Sequence, residues 1–449
     1  MKPLAQQYPA TSLSDWLHRD GEMAVVFEIE HLVRRWVQVE VALAKAEAYA
    51  GVIPKEIADE IVTSSIGAGV DMAALHADSL IVGYPILPLL RQLDAALPSH
   101  LRGYLHLGAT TQDIMDSALA LQIKEALKIL DARVSSIGDA LRILVERHAE
   151  SPMSARTHAQ QAVPTTFGAK CAVFLHEFTM HRGRLRELEN EVCVVSLFGA
   201  GGTSAALGTK AAQVRSTLAE ELGLRDASVP WHVDRQGIAH LVTASALVAS
   251  SAARFAQEII DLSRTEVGEV REEWSHHRGA SSTMPQKANS IVSEAIIGMA
   301  DASAASAAGM FHAMRAGHER AAGQWHTEWK LVPEALIAAS SSLSLAFQLT
   351  EGLVVDEQRM LENIHGDFGL IMSEAYMMAL SGKLGREVAH DLVYEAAALS
   401  RIERISLEEA LLLKRPGVRD ELESWPLHVV DYLGEVRAVC AAAIRGWEA

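Results

Sequence analysis

The sequence contains few of the residues that stabilise small secreted or sheet-rich proteins. Its 449 residues include only 3 cysteines and 13 prolines, and aromatic residues make up 5%. The cysteines Cys171, Cys193 and Cys440 are odd in number and far apart, which is typical of buried thiols in a reducing compartment. Few prolines and aromatics beside many alanines and leucines favour long packed helices over sheets.

Other absences exclude whole classes of protein. The formal net charge is −17, whereas a protein that binds nucleic-acid phosphates normally has a basic face. The N-terminus lacks the basic and then apolar pattern of a secretion signal, and no uninterrupted apolar run reaches the roughly 20 residues of a membrane span. We therefore expect a cytoplasmic protein that binds neither nucleic acid nor membrane.

Apolar residues recur at helical spacing through the middle of the chain. From Gln112 they alternate steps of four and three, a period of 3.5 that keeps one side of a helix against its neighbours. The members of this stripe are Ile123, Leu127, Leu130, Val134, Ile137, Leu141 and Leu144. The pattern predicts a helix from Gln112 to about Glu150. Further long helices are predicted from Pro164 to Leu197, from Arg235 to Trp274, after Pro285, and from Leu331 to Leu353.

The segment LVTASALVASSAA, residues 241–253, contains no charged residue. A helix that is apolar on every side is buried on every side, and this one is too short and too rich in serine for a lipid bilayer. We therefore expect it to pack among helices of other subunits. The sequence predicts an all-α protein with domains at residues 1–108, 109–354 and 355–449, the central one a bundle of five long helices.

A small, polar segment, RGASSTMPQKAN at residues 278–289, connects two of the predicted helices. Backbone N–H groups near Ser281 and Ser282, together with Lys287 and Asn289, would suit a carboxylate or a developing enediolate beside a helix N-terminus. The same residues also fit an ordinary surface loop with a solvated lysine. Histidines elsewhere lack the spacing of a ligand set, so we expect neither a metal nor a cofactor.

The segment GASSTMPQKAN resembles the signature loop of the fumarase/aspartase superfamily, GSSxMPxKxNP. HLGATTQD at residues 106–113 and RTHAQQ at residues 156–161 are similar to two further blocks of that family. Its members add or eliminate a group across a carbon–carbon bond next to a carboxylate. The resemblance covers nearly the whole chain, and it implies a three-part helical fold in a homotetramer with active sites shared between subunits.

The resemblance also implies roles for individual residues. Ser281 would be the acid or base on a mobile loop, and His158 would support the second proton transfer. Lys287 and Asn289 would hold the carboxylate that becomes a doubly charged aci-carboxylate, a task for fixed donors and a cation. The substrate would also be contacted by other residues of the three blocks, namely Thr110, Thr111, Gln112, Thr157, Ser282 and Met284.

Within the superfamily the chain is most similar to the 3-carboxy-cis,cis-muconate cycloisomerases. That similarity implies lactonisation of a muconate in aromatic catabolism, with a polycarboxylate as substrate. Arg235 and Arg320 are candidates to bind its additional carboxylates, since a planar guanidinium binds a carboxylate through two hydrogen bonds. The similar segments are PWH at residues 230–232, TEVGE at 265–269, HER at 318–320 and QWHTEW at 324–329.

Several positions that would contact the substrate differ from that cycloisomerase pattern. They are Tyr84, His158, Gln236, Gly237, Gln286, Ala288 and Ser290. A histidine at position 158 is typical of adenylosuccinate and argininosuccinate lyases, so a C–N lyase that releases fumarate is the alternative function. A non-catalytic structural protein is a third hypothesis. One set of retained residues argues against it, because no structural role requires that set: Ser281, Lys287, Asn289 and His158.

Overall fold

The computed structural model describes residues 12–65, 69–320, 323–423 and 428–449. The described chain is mostly helical with little sheet, which confirms the predicted all-α class. Residues at the N-terminal side form helices of modest length, as expected. These are α1 (Leu13–His18), α2 (Gly21–Val26), α3 (Ile29–Tyr49), α4 (Lys55–Ser65), α5 (Met72–Val82) and α6 (Ile86–Ala96).

The predicted long central helices are present. They are α7 (Thr111–Arg147), α8 (Phe167–Val192), α10 (Gln236–Leu262), α11 (Ile291–Ala313) and α12 (Gly323–Glu351), with the shorter α9 (Ala211–Leu222) between α8 and α10 along the chain. Every member of the predicted apolar stripe of α7 is buried. The 3.5-residue period therefore identified the packed side of this helix correctly.

Helix α10 is shorter than predicted. It ends at Leu262 and not near Trp274, because the following residues turn through Gly268, whose φ is +63°. The chain then forms the short strand β3 (Val270–Arg271), which pairs antiparallel with β4 (Val354–Val355). Positive φ favours glycine, so Gly268 was the available sign that the helix stops earlier.

An antiparallel hairpin between α7 and α8 was not predicted from the sequence. It consists of β1 (Pro152–Thr157) and β2 (Gln160–Thr166), joined by the two-residue turn His158-Ala159. Both turn residues have positive φ, +50° and +63°. Turns of this kind usually carry Asn-Gly or a similar pair, so His-Ala gave no local signal for a hairpin.

The C-terminal helices share a hydrophobic core of their own, in which Ile371, Ala375, Leu380 and Leu411 are buried. This region begins after β4 and consists of short helices, as predicted for the C-terminal part of the chain. The helices are α13 (Glu357–His365), α14 (Ser373–Leu384), α15 (Arg386–Glu403), α16 (Leu407–Lys414), α17 (Arg419–Glu423) and α18 (Val436–Glu448).

Packing divides the chain into two compact units. The first comprises residues 1–134, 181–252 and 295–344, and the second comprises residues 135–180, 253–294 and 345–449. Because all five long helices, α7, α8, α10, α11 and α12, contribute residues to both units, this division differs from the three domains expected from the sequence. The domain boundaries at residues 108 and 354 therefore stay a prediction.

Three helices, α10, α11 and α12, are long and apolar enough to cross a membrane by length and composition alone. From the sequence we expected no membrane span, because no apolar run reaches roughly 20 residues. Isolated serines and charges interrupt such runs but leave the mean hydropathy of the most apolar 18-residue window of each helix at 1.2–1.3. Between 44% and 56% of the most apolar window of each helix is already buried within the chain.

Candidate active site

The block HLGATTQD ends in the first turn of α7, where Asp113 organises the surrounding backbone. Its Oδ2 atom accepts hydrogen bonds from the backbone N–H groups of Thr110 (3.0 Å) and Gly199 (2.9 Å), and its Oδ1 atom accepts one from that of Phe198 (3.0 Å). The bond to Thr110 satisfies a free donor at the helix N-terminus. The other two tie the glycine-rich segment after Phe198 to the same carboxylate.

Asp113 also holds a buried histidine. The Nε2 atom of His232 lies 2.7 Å from Asp113 Oδ1, and both side chains are almost completely inaccessible. Burial by itself raises the pKa of Asp113, but the hydrogen bond and charge of His232, with the backbone donors, outweigh burial and lower that pKa. Because an ionised carboxylate only accepts hydrogen bonds, Nε2 of His232 carries the proton in this pair.

Gln112 lies beside this pair and is fully buried. Its Nε2 atom donates to the backbone oxygen of His232 (2.8 Å), and its Oε1 atom accepts from Nε of Arg320 (3.1 Å). We expected Gln112 to contact a substrate carboxylate directly. That expectation requires correction, because the side chain is inaccessible and its polar atoms are engaged inside the protein.

Arg320 remains a candidate carboxylate ligand. Its side chain is half-buried, and its Nη2 atom is buried without a hydrogen-bond partner among the described residues. A buried cationic donor without an acceptor is unfavourable, so an anionic acceptor brought by a ligand would stabilise it. Thr111, the first residue of α7, and Thr110 before it are also half-buried.

Arg235, the other arginine expected to bind substrate, is instead part of a buried ion-pair cluster. It is 2% exposed and donates to Glu328 from Nε (2.8 Å) and to Asp116 from Nη1 (3.0 Å) and Nη2 (3.1 Å). Burial raises the pKa of both carboxyl groups, and the charge of Arg235 opposes this. Because its donors are occupied inside the protein, Arg235 is not available to a substrate carboxylate.

The second block forms the hairpin, which presents Thr157 and His158 to solvent at its tip. The hairpin is fixed behind the tip by Arg156, whose Nη1 and Nη2 atoms donate to the two oxygens of the fully buried Glu269 at 2.8 and 2.6 Å. Asn363 donates to the same carboxylate at 2.8 Å. A two-point guanidinium–carboxylate contact fixes orientation as well as distance.

The signature loop, residues 278–290, is mostly exposed. Ser281 is half-buried, and its Oγ atom accepts from the backbone N–H groups of Thr283 (3.3 Å) and Met284 (3.1 Å). Ser282, Met284 and Lys287 are exposed. The loop therefore carries the predicted acid or base and its neighbouring cation on an accessible segment.

The two ends of the signature loop are joined at its base. Asn289 donates to the backbone oxygen of Gly279 from its main-chain N (2.9 Å) and from Nδ2 (3.0 Å). Gly279 has a φ of +68°, and a Cβ atom there would lie 2.5 Å from the carbonyl oxygen of Asn289. Glycine is thus required at this position. The expected contact of Asn289 with a carboxylate stays a prediction, because one of its side-chain N–H groups is used in closing the loop.

Two of the positions that depart from the cycloisomerase pattern have structural roles here. Ser290 stands in place of proline, and its carbonyl oxygen accepts the first hydrogen bond of α11, from the N–H of Glu294 (3.0 Å). Serine is a favourable residue at such an N-cap. Tyr84 stacks on Trp325, with ring centroids 5.8 Å apart, and meets Trp329 edge-on at 6.1 Å.

The site residues predicted from the sequence are distributed over both compact units. The first unit contains Thr110, Thr111, Gln112, Arg235 and Arg320, and the second contains Thr157, His158, Ser281, Ser282, Met284, Lys287 and Asn289. Sequence reasoning missed Asp113, Asp116 and His232. The acids at positions 113 and 116, in the first turns of α7, were the signal that could have indicated a buried polar network. Among the described residues, no group of histidine, cysteine and acidic side chains could hold a metal ion.

Comparison with known proteins establishes the class. The profile of a family described as lyase matches residues 21–302, and the chain belongs to this family. It is an enzyme of the fumarase/aspartase superfamily, as the three sequence blocks predicted.

Individual relatives are similar over nearly their whole length. The 3-carboxy-cis,cis-muconate cycloisomerase of Pseudomonas aeruginosa is 38% identical over 437 residues, which cover 96% of this chain and 95% of the relative. Trans-aconitate decarboxylase 1 of Mycosarcoma maydis is 38% identical over 403 residues, 90% of this chain and 82% of the relative. The crystal structure of the 3-carboxy-cis,cis-muconate lactonizing enzyme from Pseudomonas putida matches with a TM-score of 0.89 at 34% identity, covering 97% and 99% of the two chains.

Proposed function

We propose that this enzyme converts 3-carboxy-cis,cis-muconate into a carboxymuconolactone. The observation that carries the proposal is the 38% identity, over almost the full length of both chains, to the Pseudomonas aeruginosa cycloisomerase. The site agrees with an anionic substrate. Arg320 has a buried N–H without an acceptor among the described residues, and Lys287 is exposed on the signature loop.

The reaction requires one new C–O bond and one new C–H bond. A carboxylate oxygen of the muconate adds to one carbon of a conjugated double bond, and a proton is delivered to the neighbouring carbon. The trianion becomes a dianion, and no oxidant or second substrate is consumed. We assign the proton donor to Ser281 with assistance from His158, and we assign stabilisation of the intermediate aci-carboxylate to Lys287, because fixed cations and donors act most strongly on charge that develops during the reaction.

A second candidate is decarboxylation of trans-aconitate, which is favoured by the equal identity of the Mycosarcoma maydis relative. Trans-aconitate is also an unsaturated tricarboxylate, so the same cationic groups would suit both substrates.

A lyase that releases fumarate is the third candidate, and the exposed His158 at the hairpin tip is its support.

One assay separates these reactions. We expect purified protein to consume 3-carboxy-cis,cis-muconate with loss of its diene absorbance and no release of carbon dioxide. Two parallel reactions serve as comparisons. One uses trans-aconitate and measures the release of carbon dioxide, and the other uses a succinyl amine and measures the release of fumarate. Turnover of either of these in the absence of muconate turnover would replace the cycloisomerase proposal.

We also propose that the enzyme is a cytoplasmic homotetramer. Large apolar side chains on the long helices are exposed in the single chain, among them Leu247 (49%) and Phe311 (56%), and burial between subunits would remove them from water. Light scattering is expected to report about four times the 48.6 kDa chain mass. A stable monomer would contradict both the tetramer and an active site shared between subunits.

A further inference from the structure

A continuous hydrogen-bond network leads from Asp113 through His232 and Gln112 to Arg320, and all its members lie in the first compact unit. We propose that Gln112 is a positioning residue that holds the Arg320 guanidinium so that Nη2 binds a carboxylate of a tricarboxylate ligand. The inference rests on the proposed function for the class of ligand, and it replaces the direct substrate contact that the sequence suggested for Gln112.

The amide of Gln112 can adopt only one orientation. Its Nε2 atom donates to the backbone oxygen of His232 at 2.8 Å, and a carbonyl oxygen is an acceptor only. The opposite end faces Arg320, which only donates. Rotating the amide by half a turn would bring donor against donor and acceptor against acceptor, so Oε1 must face Arg320.

The support for Gln112 is itself fixed. The carbonyl that binds Gln112 belongs to His232, whose ring is held by Asp113 at 2.7 Å. Asp113 is anchored in turn by backbone N–H groups at the start of α7 and after Phe198. Because His232 and Asp113 are buried and hydrogen-bonded, little freedom remains at the position of Gln112 Oε1.

Arg320 then has one donor engaged and another available. Its Nε atom donates to Gln112 Oε1 at 3.1 Å, while Nη2 is buried without an acceptor among the described residues. A guanidinium is rigid and planar, so fixing Nε also fixes the direction of Nη2. A ligand carboxylate that accepts from Nη2 would meet a donor already in place, which reduces the entropy lost on binding.

The experiment uses the full-length protein and tricarballylate, a saturated tricarboxylate that has no double bond to react. Binding is measured by isothermal titration calorimetry for the wild type and for Gln112→Met, which keeps the length of the side chain and removes its amide. The dissociation constant is expected to rise about tenfold, or about 1.4 kcal/mol. The matched control is Gln122→Met, the same change at a buried glutamine of α7 that donates to the backbone oxygen of Val26, and it should leave the constant unchanged.

A double-mutant cycle separates positioning from an independent effect. Arg320→Met is expected to weaken binding at least tenfold, and the double variant Gln112→Met/Arg320→Met should bind no more weakly than Arg320→Met alone. Additive losses would overturn the proposal, as would a Gln112→Met variant with wild-type affinity. If melting curves show that Gln112→Met is unfolded, Gln112→Asn withdraws the oxygen from Arg320 and should give the same loss.

Failure of the positioning role of Gln112 can be distinguished from failure of the proposed reaction. If the wild type turns over carboxymuconate, Gln112→Met should raise KM with little change in kcat, because the lost contact serves ground and transition states alike. If the wild type binds tricarballylate and follows the cycle but does not turn over carboxymuconate, the reaction is wrong and the positioning role stands. Absence of any tricarballylate binding at millimolar concentration would overturn the positioning role.

Discussion

The first turns of α7 and the signature loop both carry residues of the candidate site, but they are built in opposite ways. In α7, Gln112 and Asp113 are fully buried and hydrogen-bonded on several sides. In the loop, Lys287 is exposed, and the loop is held chiefly where Asn289 contacts Gly279 at its base. A buried network keeps a binding geometry fixed, whereas an exposed loop allows the reactive groups to approach a ligand. Substitutions in α7 should therefore affect stability and binding, and substitutions in the loop should affect turnover.

The largest expected effect is on turnover, and it follows from Ser281→Ala. Loss of the proposed proton donor should lower kcat by about 10²–10⁴-fold, the usual contribution of general acid–base catalysis. The melting temperature should be unchanged, because among the described residues the Ser281 hydroxyl bonds only to nearby backbone N–H groups of the loop. Steady-state kinetics and thermal melting of the same preparation check both statements.

The matched control for Ser281 is Thr283→Val, which removes an exposed hydroxyl from the same loop and should change kcat by no more than about threefold if only Ser281 reacts. Equal losses for the two variants would show that the loop responds to any lost hydroxyl. Ser281 would then have no special role in proton transfer.

The second largest expected effect is on the free energy of unfolding, and it follows from Arg235→Met. This change leaves the buried carboxylates of Asp116 and Glu328 without their cation, which should lower the free energy of unfolding by about 3–5 kcal/mol. Glu328→Gln should lower it less, because Arg235 keeps its contacts with Asp116. Denaturant unfolding measures both. An Arg235→Met protein as stable as the wild type would show that the cluster does not hold the first unit together.

The smallest expected effect is a pH dependence of stability at Glu47, a fully buried residue of α3. Its oxygens have no partner among the described residues, and burial, with the nearby charge of Glu40, raises its pKa to about 9. Between the ordinary value near 4.5 and about 9, the folded state holds a proton that the unfolded state has lost. Wild-type stability should therefore fall as pH rises through this range.

Glu47→Gln cannot titrate and should lose this dependence. Relative to the wild type, the free energy of unfolding of Glu47→Gln is expected to increase by on the order of 2 kcal/mol from pH 6 to pH 8. The reason is that one proton contributes at most about 1.4 kcal/mol per pH unit. Denaturant unfolding at both pH values is the measurement. Parallel pH profiles for the two proteins would mean that Glu47 is already ionised in the folded state.

Much of the fold was predictable because it follows from local periodicity. The apolar stripe from Ile123 to Leu144 predicted a helix of nearly the observed length, and every one of its residues is buried. The hairpin that carries His158 was not predictable, because its turn residues adopt positive φ without asparagine or glycine. This hairpin is stabilised in part by the contact of Arg156 with Glu269. These two residues are far apart in the sequence.

The sequence by itself determined the helical class, the long central helices, the family and the exposed signature loop, since these depend on composition, spacing and a continuous motif. Only the tertiary structure decided what each arginine does. Arg235 and Arg320 are the same residue type, and both lie beside motif residues. Arg235 is surrounded by buried carboxylates, whereas Arg320 donates to an amide oxygen and keeps another donor for which the described part of the chain offers no acceptor. Charge pairing inside a protein depends on which helices pack together, and one-dimensional spacing does not contain that information.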